Sequence, residues 1–245
     1  MKTIPHIHDF ISDLPDSVRE EIMRLCVVRQ VAAGGAVYRQ GDASVEIYQV
    51  VEGGVKLCNY SLDGREIVAA ELLVNAWIGE MGVIDGMPRV SHAIAVKKTT
   101  LRVLSKSYFD ELYLKYPEIS RQLNLMMCRR MRMAYSLREE GSGLTLKQCL
   151  ARAIHRLSYS HGVKDSQGDL SISISQEELG SMLGVSRQSV NKGLQILAGE
   201  GVIELRYGKI KIRSLDGLHE KYEKLMGVEQ LAAVYDTDRQ GAVRY

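Results

Sequence analysis

Two groups of residues in this chain have types and spacings that could do chemistry. In the first, "IGEMGVIDGMPRVSHA" over 78–93, Gly79 and Glu80 precede Arg89, nine residues beyond the glutamate. A glutamate suits a sugar hydroxyl, and an arginine forks onto a phosphate. The run "EMGVID" suits a short helix whose first amides, at Glu80 and Met81, point at an anion. Glu80 and Arg89 therefore either cradle a sugar phosphate or pair with each other to close the loop.

The second group is "SQEELGSMLGVSRQSVNKGLQIL" over 175–197. Ser175 followed by Glu178 is a capping box and starts a helix. Leu179 and Leu183 face inward, Gly180 admits a second helix, and Gly184 makes the turn. Ser186 caps that second helix, whose Val190, Leu194 and Leu197 form a buried face. Arg187, Gln188 and Ser189 then occupy its exposed first turn, with Asn191 and Lys192 one turn on. Side chains there reach base edges in the major groove of a helix-turn-helix complex. Arginine pairs bidentately with guanine and glutamine with adenine. Ser175, Ser186, Lys192 and the first-turn amides suit phosphates. A basic hairpin, "GVIELRYGKIKI", follows as a wing and offers Lys209 and Lys211 to the backbone. The competing reading is an αα-hairpin with a solvated polar face, which the wing and the local basic excess disfavour. Gly193 has no account beyond close packing, since it weakens the helix by about 1 kcal/mol relative to alanine.

The elements that must position these groups follow from local patterning. Asp9 and Asp16 are candidate caps of short helices over 9–25. From Val27, short β-rich runs are separated by Gly34-Gly35, Gly53-Gly54 and Asp63-Gly64, which suggests a jelly roll or β-roll. Pro117 is placed to open a long helix. Ile119, Leu123, Met126, Met133 and Leu137 follow its apolar spacing and make either a dimer seam or a stripe packed on the roll. "GSG" at 141–143 is expected to break that helix as a hinge. A helix from Leu144, a loop over 161–169 and the run "LSISIS" lead into the helix-turn-helix. "LDGLHEKYEKL" suggests a last helix, and the tail beyond it a frayed end.

Composition bounds the answer further. The chain has 245 residues with 45% apolar and 25% charged, values of a globular protein long enough for two domains. The net charge of +2 does not argue for nucleic acid, but the basic excess from Arg187 to Arg213 attracts a polyanion. Four dispersed cysteines with no C-x-x-C pair argue against a zinc or iron–sulfur site and fit a reducing compartment. No signal peptide is evident at the N-terminus and no apolar run is long enough to span a membrane, so the expected location is the cytoplasm. His6, His8 and His92 are the only weak metal or haem ligand candidates, and no metal or firm cofactor is expected. Glu80 and Arg89 lack a nucleophile–base set, so no enzyme is expected.

This combination resembles the Crp/Fnr family of bacterial transcription regulators over roughly 10–214. The resemblance rests on "GEMGVIDGMPR" and "SQEELGSMLGVSRQSVNKGL". It implies an α+β fold: a cyclic-nucleotide-binding-like jelly-roll or β-roll sensor over 1–117 and a dimerisation helix with hinge over 118–141. A winged helix-turn-helix follows over 142–214, then a C-terminal helix and tail over 215–245. It implies a homodimer that binds double-stranded promoter DNA, contacts RNA polymerase and responds to a small effector. Arg187, Gln188 and Lys192 match the family's principal reading positions. Gly79, Glu80 and Arg89 match the positions that hold cyclic phosphate and ribose, so cyclic AMP or cyclic GMP is a possible effector. Two departures leave that open. Val90 follows the arginine where Ser, Thr or Ala is frequent, with Ser91 one residue later. Leu137 and Arg138 stand where the cyclic-AMP receptor has an adenine-contacting Thr-Ser pair. The alternatives are the same regulator under redox, haem or abundance control, or a nucleotide-binding subunit of a partner enzyme.

Overall fold

The short β-rich runs pair into antiparallel sheets. The computed structural model describes residues 7–64, 66–164 and 168–223. They fall into two units, the first ending at Cys128 and the second starting at Arg129.

In the first unit, helix α1 (Asp16–Leu25) precedes strands β1 (Val27–Val31), β2 (Ala36–Tyr38), β3 (Glu46–Glu52), β4 (Val55–Tyr60), β5 (Glu66–Leu72) and β6 (Trp77–Ile78). The short helix α2 (Glu80–Asp85), strands β7 (His92–Ala95) and β8 (Thr99–Ser105), and helix α3 (Lys106–Lys115) complete the roll. Two four-stranded antiparallel sheets, β1-β8-β3-β6 and β2-β7-β4-β5, form it. Their facing sides bury Tyr48, Val50, Val55, Leu72, Leu101 and Val103. The other face of the first sheet is covered by Phe10, Leu14, Ile22, Phe109 and Leu112, with Trp77 against Phe10 at 5.2 Å between rings. Asp16 does not cap α1 as expected. Pro15 stands at the cap position and Asp16 is the first helical residue, while Asp9 accepts from the Ile11 and Ser12 amides in a turn.

Helix α4 (Pro117–Gly143) opens at the proline as expected. Its 27 residues would span about 40 Å at ~1.5 Å per residue. Two expectations about it need correction. The "GSG" segment does not break the helix, which continues through Gly143 and stops only at Leu144. A glycine costs about 1 kcal/mol in a helix, which a long continuous ladder tolerates. Ile119, Leu123 and Met126 are buried against the roll of their own chain, at 1%, 2% and 0% exposure. They are core residues and are not available to a second copy. The side chain of Leu137 lies outside the described residues.

The second unit contains α5 (Leu146–His161), β9 (Gly162–Lys164), β10 (Leu170–Ser173), α6 (Gln176–Leu183), α7 (Arg187–Gly199), β11 (Ile203–Arg206) and β12 (Lys209–Ile212). A short α8 (Leu215–Leu218) and one π-helical turn over His219–Glu223 follow. Thr145 caps α5 in a second capping box, with Gln148. The strands form one antiparallel sheet, β11-β12-β10-β9. Leu150, Ile154, Leu179, Val190, Leu194, Leu197 and Ile210 join the helices and sheet in one core. The tail over 224–245, His6, and residues 165–167 of the expected loop over 161–169 lie outside the described residues.

Candidate effector cradle and nucleic-acid interface

The cradle is built on a left-handed residue. Gly79 caps α2 at φ 88°, and a Cβ there would lie 2.6 Å from Arg89 Nη1. Glu80 begins the helix and is 2% exposed. Gly82 admits the neighbouring chain: its Cβ would stand 2.0 Å from Ser44 Oγ and 2.5 Å from the Met87 carbonyl. Gly86, left-handed at φ 75°, closes the helix. The backbone then returns so that the Arg89 amide donates to the Asp42 carbonyl at 2.9 Å.

Arg89 is 5% exposed, an uncommon place for a cation without compensation. Its Nη1 donates to the Gly79 carbonyl at 2.6 Å and its Nη2 to the Glu46 carbonyl. The guanidinium carbon lies 4.4 Å from the Tyr38 ring centroid and 5.8 Å from that of Tyr48, within range of a cation–π attraction. Arg89 does close the loop, and these two main-chain carbonyls are what it closes onto. Its Nε–H is buried and has no hydrogen-bond partner among the described residues. A buried donor without an acceptor costs roughly 1–3 kcal/mol, so the site holds one unspent donor beside the start of α2.

The remaining expected cradle residues divide by exposure. Met81 and Val90 are exposed, while Ser91 is buried. The Val90 carbonyl accepts from Asn59 Nδ2 at 3.2 Å. Arg138 is exposed on α4 in the second unit. His92 packs its ring against the edge of Tyr60, and among the described residues no cluster of His, Cys, Asp or Glu suited to a metal is found. Sequence reasoning missed Tyr38, Tyr48 and Glu46. They read as ordinary strand residues, and only the sheet pairing brings them to Arg89.

The helix-turn-helix forms as its caps dictate. Ser175 accepts from the Glu178 amide while the Glu178 carboxylate accepts from the Ser175 amide at 2.7 Å. Gly184 turns at φ 68°, and Ser186 Oγ accepts from the Ser189 amide at 3.2 Å. Arg187, Gln188 and Lys192 are exposed on α7, with no side-chain hydrogen bond or ion pair among the described residues. Asn191 is also exposed, and its Oδ1 accepts from Gln176 Nε2 at 3.4 Å. Ser189 is half-buried. Gly193 now has its account: it is buried, and a Cβ would meet Leu150 Cδ1 of α5 at 2.4 Å. The helix forgoes about 1 kcal/mol of propensity to seat on α5.

The wing is less cationic than its sequence suggested. Lys211 is paired with Asp169, whose carboxyl that contact holds below its ordinary range. Arg206 and Arg213 both pair with Glu204. Lys209 is exposed and has no ion pair among the described residues. Lys209→Ala is therefore expected to reduce the slope of log affinity for duplex DNA against log salt by about 0.9. Lys211→Ala is expected to change it less, since Asp169 already neutralises that charge. Fluorescence anisotropy across a salt series separates the two, and equal slopes would contradict this ranking.

Comparison with known proteins agrees with this geometry. A model described as a cyclic nucleotide-binding domain matches residues 28–116, and one described as a Crp-like helix-turn-helix domain matches residues 148–221. The chain is 29% identical over 220 residues to the cyclic AMP receptor protein of Thermus thermophilus, covering 90% of this chain and 97% of that protein. Its fold is similar to that of FixK2 from Bradyrhizobium japonicum, with a TM-score of 0.66 and 20% identity over 80% of this chain and 96% of that one. It is also similar to the c-di-GMP responsive global regulator CLP of Xanthomonas campestris, with a TM-score of 0.64 and 20% identity over 82% and 100% of the two chains. The two matched models describe a nucleotide-binding domain and a Crp-like helix-turn-helix domain, the two parts of a regulator of this type. A β-roll and a winged helix-turn-helix, each matched by its own model, place this chain in the Crp/Fnr family of transcription regulators.

Proposed function

We propose that the roll takes a small anion as effector, a cyclic nucleotide being the leading candidate, and that its occupancy controls promoter binding by a homodimer. The observation that carries this reading is the buried, unspent Nε–H of Arg89 beside the left-handed Gly79 and the first turn of α2. A phosphate is the right shape and charge for such a donor together with helix amides. The residues fit that group: Gly79, Glu80 and Met81 would supply amides, Arg89 its remaining N–H groups, and Glu80 a ribose contact. The name of the Thermus relative, a cyclic AMP receptor, supports the same ligand class. Val90 and Ser91 would lie toward the base.

The dimer would use the side of α4 turned away from the roll. Leu125, Met131 and Tyr135 are exposed there at 36%, 59% and 58%, with Cys128 exposed between them. At 100° per residue they fall away from the Ile119, Leu123 and Met126 stripe. On DNA, Arg187 and Gln188 would read bases, Ser189 and Asn191 would support them, and Ser175, Ser186, Lys192, Lys209 and Lys211 would hold the backbone. Two α7 helices about 34 Å apart would match successive major grooves. Effector binding would shift the population toward that spacing through α4 and the break at Leu144. The exposed segment at Val163 would face RNA polymerase.

A second reading, the same regulator without a nucleotide effector, draws on the engagement of Arg89 with two carbonyls and on Leu137 and Arg138. Titration calorimetry of the purified protein with cyclic AMP and cyclic GMP distinguishes the two, with Arg89→Lys as the control that keeps charge and loses the fork. Saturable heat, reduced at least tenfold in affinity by the control, is expected (a loss of about 1.4 kcal/mol). Absence of heat and of any thermal shift at millimolar nucleotide would assign Arg89 a purely structural role.

A further inference from the structure

The contacts behind Arg89 extend beyond the cradle to the exposed edge of the roll. Glu46 offers its main-chain carbonyl to Arg89 Nη2, while its side chain faces a different set of partners. Arg29, on the edge strand β1, forks onto both carboxylate oxygens of Glu46 at 2.8 Å each, reaching across β8 to do so. The Tyr48 hydroxyl donates to the same carboxylate at 2.8 Å. The Tyr48 ring lies 5.8 Å from that of Tyr38, and both rings flank the Arg89 guanidinium. The contacts thus form a circuit: Arg29 to Glu46, Glu46 to Tyr48 and Arg89, Tyr48 and Tyr38 to Arg89.

We propose that Arg29 and Glu46 are positioning residues for the effector cradle, fixing the plane of the Arg89 guanidinium without touching the ligand themselves. The inference rests on the effector reading of the cradle and deepens it. An arginine side chain loses rotamer freedom when it is fixed. Holding it in place beforehand leaves that cost out of ligand binding. Bidentate arginine–carboxylate contacts supply directional rigidity that a lysine would not. The Arg29 fork holds the Glu46 carboxyl below its ordinary range, and burial pushes the Tyr48 hydroxyl up to about 12. Near neutral pH the carboxylate is therefore charged and the phenol is a donor, as the circuit requires. The side chains of Arg29 and Glu46 are 43% and 25% exposed, so both can be changed without opening the core.

The test uses the full chain labelled with 15N-arginine. The Arg89 Nε–H cross-peak is identified by its disappearance in Arg89→Lys, and cyclic AMP calorimetry is run in parallel. In the wild type the cross-peak is expected to be protected from exchange. In the isosteric Glu46→Gln and in Arg29→Ala it is expected to broaden or shift, with cyclic AMP affinity falling about three- to tenfold, the worth of one hydrogen bond. Arg29→Lys, which keeps the charge, is expected to lie between. A circuit that only stabilised the fold would lower the thermal midpoint and leave both cross-peak and affinity unmoved, which would overturn the proposal. An unprotected Arg89 signal in the wild type would also overturn it. If no variant or wild type takes up cyclic AMP but the cross-peak still responds, the nucleotide reading fails while the positioning role stands.

Discussion

Arg89→Ala is expected to lower the thermal midpoint of the roll by roughly 10 °C, before any ligand is considered. Two hydrogen bonds from a charged donor are lost, to the carbonyls of Gly79 and Glu46. Such bonds are worth about 1.5–3 kcal/mol each, and the contact with Tyr38 adds to the loss. Relief of the stranded Nε–H offsets part of this, so a net loss of about 3–5 kcal/mol is expected. For a chain of this size each kcal/mol moves the midpoint by about 2–4 °C. Circular dichroism melts of the two proteins check the figure. A midpoint within a degree or two of wild type would mean that the two carbonyls find other donors. The expected loss is why Arg89→Lys, and not the alanine variant, is the proper control for ligand binding.

The second large effect concerns sequence reading. Arg187→Ala is expected to cost about 1–3 kcal/mol on the preferred site and to relax specificity at one base pair. The side chain is exposed in the first turn of α7, whose axis is set by the contact of Gly193 with Leu150, so nothing in the fold should suffer. Gel-shift titrations on the preferred duplex and on single-base variants provide the measurement. Uniform weakening on every duplex would reassign Arg187 to the backbone. Gln188→Ala, measured beside it, should relax a neighbouring position and not the same one.

The parts of this structure that were legible in the sequence are those fixed by short-range chemistry. Ser175 with Glu178, Ser186, Gly184 and Pro117 each specify a helix boundary through atoms within three or four residues, and each boundary lies where those atoms put it. The cradle helix was legible for the same reason, because Gly79 and Gly86 mark both its ends. What escaped was decided at long range. The apolar spacing of α4 is equally good for a seam and for a core, and only the position of the roll assigns Ile119, Leu123 and Met126 to the core. Tyr38, Tyr48 and Glu46 meet Arg89 through strand pairing that no local pattern records. Gly193 looked like a flaw in a helix until Leu150 appeared opposite it. Helix α3 does carry a local signal, since Ser105 caps it by accepting from the Tyr108 amide, whereas β6 is two residues long and offers no period to read.

The ion pairs of the wing have a consequence for how such a regulator finds its target. Lys211 is already matched by Asp169, and Glu204 offsets one of the two charges of Arg206 and Arg213. Arg187, Lys192 and Lys209 remain to meet a polyanion. Random DNA is held almost wholly by released counterions, so each cation satisfied within the fold shortens the dwell on every sequence that is not the target. A protein built this way is expected to leave wrong sites quickly. The surplus of non-specific sites in a genome, on the order of a million or more, then sequesters less of it. Its low net charge, which by itself made no case for nucleic acid, would thereby lower the number of molecules needed to occupy one target site.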